Sequence, residues 1–131
     1  MKATKNKNLI FPEQSYEIVG ALFEVFHELG AGLKERHYYP AIKEALIKRG
    51  MDIKEQLHVP VQFQQNKIGA QFLDFLIDDK IVLELKVDTR FRKPDYDQIK
   101  AYLATSNCSL GILARFDADG VTFHRVLNPN N

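Results

Sequence analysis

Three residues define the chemistry this chain could do. In Ile81-Val82-Leu83-Glu84-Leu85-Lys86-Val87 an acid and a lysine stand two residues apart in an otherwise apolar run. Side chains alternate along a strand, so Glu84 and Lys86 share a face. Upstream, Asp74 sits in a second apolar run, Gln71-Phe72-Leu73-Asp74-Phe75-Leu76-Ile77. Charges are rare in buried strands unless they are paired or bound to a metal. Two acids converging from neighbouring strands would repel each other and resist desolvation without a cation between them. Magnesium accepts one or two carboxylates at about 2.0–2.1 Å and keeps several waters. It can activate a bound water and offset charge on a phosphate. A lysine aimed at the same place can stabilise the transition state or orient the attacking water. The set therefore suits metal-dependent hydrolysis of a phosphodiester. By spacing alone, an ion pair between Glu84 and Lys86 on a solvated face also explains these residues, because Asp…Glu-x-Lys is a short and permissive pattern. Such a pair needs only one acid, however.

Further candidates lie on either side. Glu35, in Gly32-Leu33-Lys34-Glu35-Arg36-His37-Tyr38, falls in the first turn of an expected helix, where the helix dipole alone favours a carboxylate. Gln98 and Tyr102 share a helix face at i, i+4. Gln98 could hydrogen-bond a phosphate or hold Lys86; spacing alone favours a core Tyr102 and an exposed Gln98. Lys86, Arg90, Arg92 and Lys93 stand against a single acid, Asp88, within residues 86–93. Arg90, Arg92 and Lys93 are therefore candidate contacts for backbone phosphates. His27, His37, His58 and His124 lack zinc-ligand spacing, and no Cys-x-x-Cys occurs. Gly30-Ala31-Gly32 precedes a helix without following a strand, which fails the context test for dinucleotide binding.

Positioning these residues requires a sheet with helices packed on it. Ile18, Leu22, Val25, Phe26 and Leu29 recur on one helical face, after Pro12 and before Gly30-Ala31-Gly32. A second helix is expected from about Leu33 to Arg49, with Pro40 near its first turn or at a kink. Strands are expected from His58 to Gln64, Ile68 to Ile77 and Ile81 to Val87. They are joined by turns at Gln65-Asn66-Lys67 and Asp78-Asp79-Lys80 as an antiparallel meander. A third helix runs from near Pro94 to Asn107, followed by strands Leu110–Phe116 and Val121–Leu127. The order is α-α-β-β-β-α-β-β, an α/β fold with a central β-sheet flanked by helices.

Length and composition agree with one soluble domain. The chain has 131 residues, 45% of them apolar and 27% charged, and a formal net charge of +1. Bulk charge neither announces nor excludes a nucleic-acid partner, because a local patch suffices. We expect a flexible basic arm at 1–11, one domain at 12–127 and a tail at 128–131. The lone Cys108 precludes an intrachain disulfide and reads as a packing residue in a cytoplasmic protein. No apolar run approaches the roughly 20 residues that span a bilayer, so a membrane association is not expected.

Taken together, Gly32-x-x-Glu35-x-x-Tyr38, the aspartate strand around Asp74, Val82-Leu83-Glu84-Leu85-Lys86, Gln98-x-x-x-Tyr102 and Leu110-Gly111-Ile112-Leu113 resemble the GxxExxY family of the PD-(D/E)xK nuclease superfamily. The resemblance runs from about Ser15 to Val126. It implies a restriction-endonuclease-like fold with a central mixed sheet. It implies that Asp74 and Glu84 are metal ligands, that Lys86 is the catalytic lysine, and that Glu35 is the helix acid supporting the metal or its water. Gln98 and Tyr102 match a glutamine-tyrosine motif on the helix after the catalytic strand, which makes Tyr102 an expected nucleic-acid contact. The implied activity is a magnesium-dependent nuclease, with manganese as a substitute, and DNA is the favoured substrate. A nuclease-fold binding or regulatory subunit with little activity is the alternative. Whether the chain works alone, as a homodimer or in a larger complex is left open.

Overall fold

The structure, a computed structural model, describes residues 10–128. Helix α1 (Pro12–Leu29) opens on Pro12, whose missing N–H costs nothing in a first turn. It buries Ile18, Leu22 and Val25 as the spacing predicts, while Leu29 is 38% exposed at the helix end. Helix α2 (Glu35–Lys48) follows. Pro40 stands inside α2, just past its first turn, where it cannot donate to the Arg36 carbonyl, and the helix continues through it.

The loop between these helices is set by residues of the Gly-x-x-Glu-x-x-Tyr motif. Gly32 has φ 99°, a left-handed conformation that glycine adopts without a Cβ clash. The buried Tyr38 hydroxyl donates to the Gly30 carbonyl at 2.6 Å and accepts from the Leu33 N–H at 3.3 Å. Its ring meets Phe116 edge-on, with centroids 4.8 Å apart. Tyr38 therefore fastens the loop to the core and fixes where α2 begins.

Strands β1 (Ile53–Phe63), β2 (Asn66–Ile77), β3 (Ile81–Val87), β4 (Leu110–Asp117) and β5 (Gly120–Leu127) form one sheet in that order. Pairing is antiparallel except between β3 and β4, which are parallel and joined by helix α3 (Lys93–Thr105). This is the expected mixed sheet flanked by helices. The boundaries of the first hairpin differ from expectation. β1 begins five residues earlier than His58, at Ile53, and the turn is Gln64-Gln65, with φ values of 51° and 70°. Those positive values give the two-residue turn whose twist suits a hairpin, although neither residue is glycine. Pro60 lies on the edge strand β1, the position in a sheet where proline is tolerated.

The sheet separates two apolar layers. Ile81, Leu83 and Leu85 pack towards α1 and α2, whereas Val82, with Leu113 and Val126, packs towards Ile99 and Leu103 of α3. Glu84 and Lys86 have the parity of Val82, so they face the α3 side. Pairing of β2 with β3 covers only Phe75–Ile77, and the outer part of the β1–β2 hairpin extends into solvent.

Residues 1–9 of the expected arm and 129–131 of the expected tail lie outside the described residues. Ile10 and Phe11 pack against the core rather than joining an arm. Asn128 is buried rather than part of a tail, and its Nδ2 donates to the carbonyls of Leu103 and Cys108 at 2.6 and 2.8 Å. Cys108 is buried, as a packing residue would be. Among the described residues no helix is long and apolar enough to cross a membrane.

α3 packs closely on β4 at Gly111, where an added Cβ would lie 2.5 Å from Ile99 Cγ2. The β-branched Ile99 is stiff and fully buried, so it cannot swing aside. Gly111→Ala should destabilise the fold by about 1–3 kcal/mol through overpacking. A urea titration should show a lower midpoint at unchanged slope; an unchanged midpoint would mean the helix can slide.

Candidate active site

The site forms where β2 and β3 part. Their ladder runs from Ile77↔Ile81 to Phe75↔Leu83, so Asp74 and Glu84 come next in register. There the side chains replace the backbone carbonyls. The Asp74 N–H donates to Glu84 Oε1 at 2.9 Å, and the Leu85 N–H donates to Asp74 Oδ2 at 2.7 Å. Each carboxylate meets a backbone donor on the other's strand. Strand period and register thus bring the two acids together.

Lys86 completes the cluster. Its Nζ lies 3.2 Å from Glu84 Oε2 and 3.6 Å from Asp95 Oδ1, in the first turn of α3. Glu84 retains 5% of its side-chain exposure and Lys86 26%, so the acid is sealed in while the ammonium reaches the surface. Tyr39, one turn after Glu35 on α2, donates to Glu35 Oε1 at 3.2 Å and stands close enough to Asp74 to feel its charge. Glu35 Oε2 accepts the Val87 N–H at 3.0 Å, which ties α2 to the end of β3.

Burial dominates the electrostatics. It raises the Asp74 carboxyl to about 6, against the pull of the Leu85 N–H and the Tyr39 hydroxyl. Burial and then the Asp74 charge raise Glu84 to about 8, opposed by Lys86. The pair titrates as a unit and tends to hold a proton near neutrality. Desolvation works against the Lys86 ammonium, but Glu84, Asp95 and Glu35 outweigh it and keep the group charged. Burial, with Asp74 and Glu35, pushes the Tyr39 phenol far above its usual range, so it remains a neutral donor.

This donor set fits a magnesium-type cation. Two desolvated carboxylates with raised proton affinity are a pair that a divalent charge would relieve, and their oxygens are hard ligands. Among the described residues no group of three His, Cys, Asp or Glu side chains is arranged to hold a metal, so water would have to fill the remaining positions.

The other expected residues divide. Glu35 reaches the edge of the cluster, where its Oε1 accepts from Tyr39 and its Oε2 from the Val87 N–H. Gln98 does not orient Lys86: its Nε2 donates to the Phe72 carbonyl at 3.2 Å, and Asp95 takes the place beside the lysine. Tyr102 is not at the site. It packs in the α3-side layer beside Cys108 and Asp79, near the start of β3, about 10 Å along the helix from Asp95. Arg90 and Arg92 lie in the connection from β3 into α3, and Lys93 is the first residue of α3. Arg92 pairs with Asp88 at 3.2 Å and Lys93 with Asp97 at 2.7 Å. Arg90 is exposed and has no hydrogen bond or ion pair among the described residues.

Three contributors escaped the sequence reading. Tyr39 was signalled by its i, i+4 spacing from Glu35. Asp95 was legible as the acid in the first turn of a Pro-initiated helix, but its contact with Lys86 was not. Arg115 lies opposite Lys86 on β4, bonds the Thr89 carbonyl and Asp117, and reaches Thr122 Oγ1 at 3.1 Å. It pins the connection between β3 and α3.

The model of the PD-(D/E)XK nuclease superfamily matches residues 12–126. No curated protein matches the sequence. Similar solved structures include an alkaline exonuclease (LHK-Exo) from Laribacter hongkongensis, at 10% identity and a TM-score of 0.48, covering 88% of this chain and 83% of that one. SSO0001 is similar at 15% identity and a TM-score of 0.53, covering 91% of this chain. This chain spans 60% of the length of SSO0001, and at that identity the likeness concerns the fold alone. The family match extends over nearly all of the described fold, from the start of α1 to β5, and it includes Asp74, Glu84 and Lys86: the chain belongs to the PD-(D/E)XK nuclease superfamily.

Proposed function

We propose that this protein is a magnesium-dependent phosphodiester hydrolase acting on nucleic acid, with DNA as its favoured substrate, and that it falls in the GxxExxY group of its superfamily. Manganese would substitute for magnesium. The observation that carries the reading is the reciprocal bonding of Asp74 and Glu84 beside the charged Lys86.

In this reading Asp74 and Glu84 hold the cation. When bound, it supplies an activated water and offsets charge on the phosphate. Lys86 lies on the Glu84 face and keeps its proton, so its ammonium can meet negative charge that develops on the phosphate oxygens. Asp95 holds that ammonium from the α3 side. Tyr39 lies beside Asp74, and Glu35 holds the Tyr39 hydroxyl and the end of β3. Arg90 and Arg92, on the neighbouring connection, and Lys93, at the start of α3, contact backbone phosphates and position the strand without reading its sequence, Arg92 and Lys93 by exchanging Asp88 and Asp97 for phosphate. The protein's site of action in this reading is the cytoplasm, where a lone thiol such as Cys108 stays reduced.

Lys86→Ala should lower divalent-dependent DNA cleavage by about a hundredfold or more, while calorimetry still detects manganese binding. Asp74→Ala should lose both. Purified wild-type protein that cleaves neither DNA nor RNA with any divalent cation would overturn the assignment.

The pH dependence of stability has a definite sign. Asp74 and Glu84 bind protons more tightly folded than unfolded, so their contribution is fully present below the unfolded carboxylate values. It is lost as pH rises through about 6 and 8. The melting temperature of metal-free protein should therefore fall between about pH 5 and 8, and Asp74→Asn should flatten that fall. Magnesium should stabilise more at pH 8 than at pH 5, because it binds the deprotonated pair. Parallel melting curves for wild type and Asp74→Asn at all pH values would sink this account.

A further inference from the structure

The face that carries Lys86 continues across the sheet into an aromatic cluster that hydrolysis does not use. Lys86 is opposite Arg115 on β4, and Arg115 is opposite Thr122 on β5. His124 shares the parity of Thr122 and stands about 10 Å sideways from β3, two strand spacings away. Its ring lies 4.7 Å from Phe91 and is stacked 5.9 Å from Tyr96. The Tyr96 hydroxyl is 2.5 Å from His124 Nδ1, which locks the two rings together. Arg115 lies over Phe91 at 5.3 Å.

Beyond this cluster, between α3 and the edge of β5, lies an open cavity of about 500 Å³ lined by Tyr96, Lys100, Phe123, His124, Arg125 and Val126. Phe123 projects from the opposite face of β5 and is 38% exposed, so the cavity wraps the strand edge. Two cations line it and no acid does. Arg125 bonds only neutral oxygens, Ser15 Oγ and the Ile10 carbonyl, so its charge is not cancelled by an acid among the described residues. Lys100 is exposed and has no ion pair among the described residues. The nearby Asp97 is engaged by Lys93.

Aromatic rings on both sides of the strand edge, with uncancelled positive charge beside them, suit a flat apolar group attached to an anion. We propose that this cavity is a stacking subsite for an unpaired nucleobase, with Lys100 taking the adjoining phosphate. The substrate class is accordingly single-stranded nucleic acid, or the frayed end of a duplex, because paired bases have no free face to offer. The subsite lies within reach of nucleotides flanking a phosphate held at Lys86. The proposal rests on the nuclease reading for its choice of ligand, but its test does not depend on cleavage.

The test is fluorescence anisotropy with a labelled short oligothymidylate and a blunt duplex of equal length, in the presence of EDTA. Wild-type protein should bind the single strand more tightly than the duplex. Phe123→Ala should weaken single-strand binding about fivefold or more, the loss expected for one stacked base, and leave duplex binding unchanged. Lys100→Ala should lower affinity and flatten its salt dependence. Tyr96→Phe keeps the ring and should retain most of the affinity. Equal binding of single strand and duplex, or no loss in Phe123→Ala with an unchanged circular dichroism spectrum, would overturn the subsite. Single-strand binding without cleavage by any divalent cation would instead remove the nuclease assignment and leave the subsite standing.

Discussion

Two carboxylates in place of two carbonyls are the constraint on which this structure turns. Where β2 leaves β3, a sheet would ordinarily lose backbone bonds to solvent. Here Asp74 and Glu84 each take one backbone N–H from the opposite strand. A buried unsatisfied amide costs about 1–3 kcal/mol, so the acids make the parting of the strands tolerable. The same arrangement desolvates both and sets them against each other, which is why their proton affinities rise. Structural support and a latent demand for positive charge therefore arise from the same atoms.

That demand is met in part by residues from three elements. Lys86 comes from the strand of Glu84, Asp95 fixes its far side from α3, and Glu35 and Tyr39 approach from α2. The Gly-x-x-Glu-x-x-Tyr spacing has a mechanical meaning in this light. Gly32 permits the left-handed turn, Tyr38 fastens the loop to the core, and Glu35 is thereby presented to Val87 at the end of the site strand. The motif operates as a clamp on the site, with its glutamate bonding protein groups on both oxygens.

Local composition was a poor guide to the electric field. Residues 86–93 read as a basic patch, yet Asp88, Asp95 and Asp97 return to Arg92, Lys86 and Lys93 in the fold. The less conspicuous Lys100 and Arg125, far apart along the chain, line one cavity free of acids. Exposed ion pairs contribute little to stability, but they do decide which cations keep an uncancelled charge for a partner.

Strand periodicity by itself determined that Glu84 and Lys86 share a face, and apolar runs with turn residues located all eight elements described. These are local properties, carried by spacing and backbone preference. The sequence also singled out Asp74, because an acid within an apolar strand demands compensation. What it did not determine is which groups compensate. Gln98 and Asp95 differ by less than one helical turn, and only the packing angle of α3 on the sheet gave Lys86 to Asp95 and Gln98 to the Phe72 carbonyl. Tyr102 was displaced from the site by the same helix geometry, since the rise per residue carries it to the far end of β3. Arg115 and His124 joined the Lys86 face through the parallel β3–β4 register and the β5 pairing, both long-range contacts with no local signature. Side-chain period is set by the backbone at each residue; side-chain partnership is set by how separate elements pack, and only the tertiary structure could decide it.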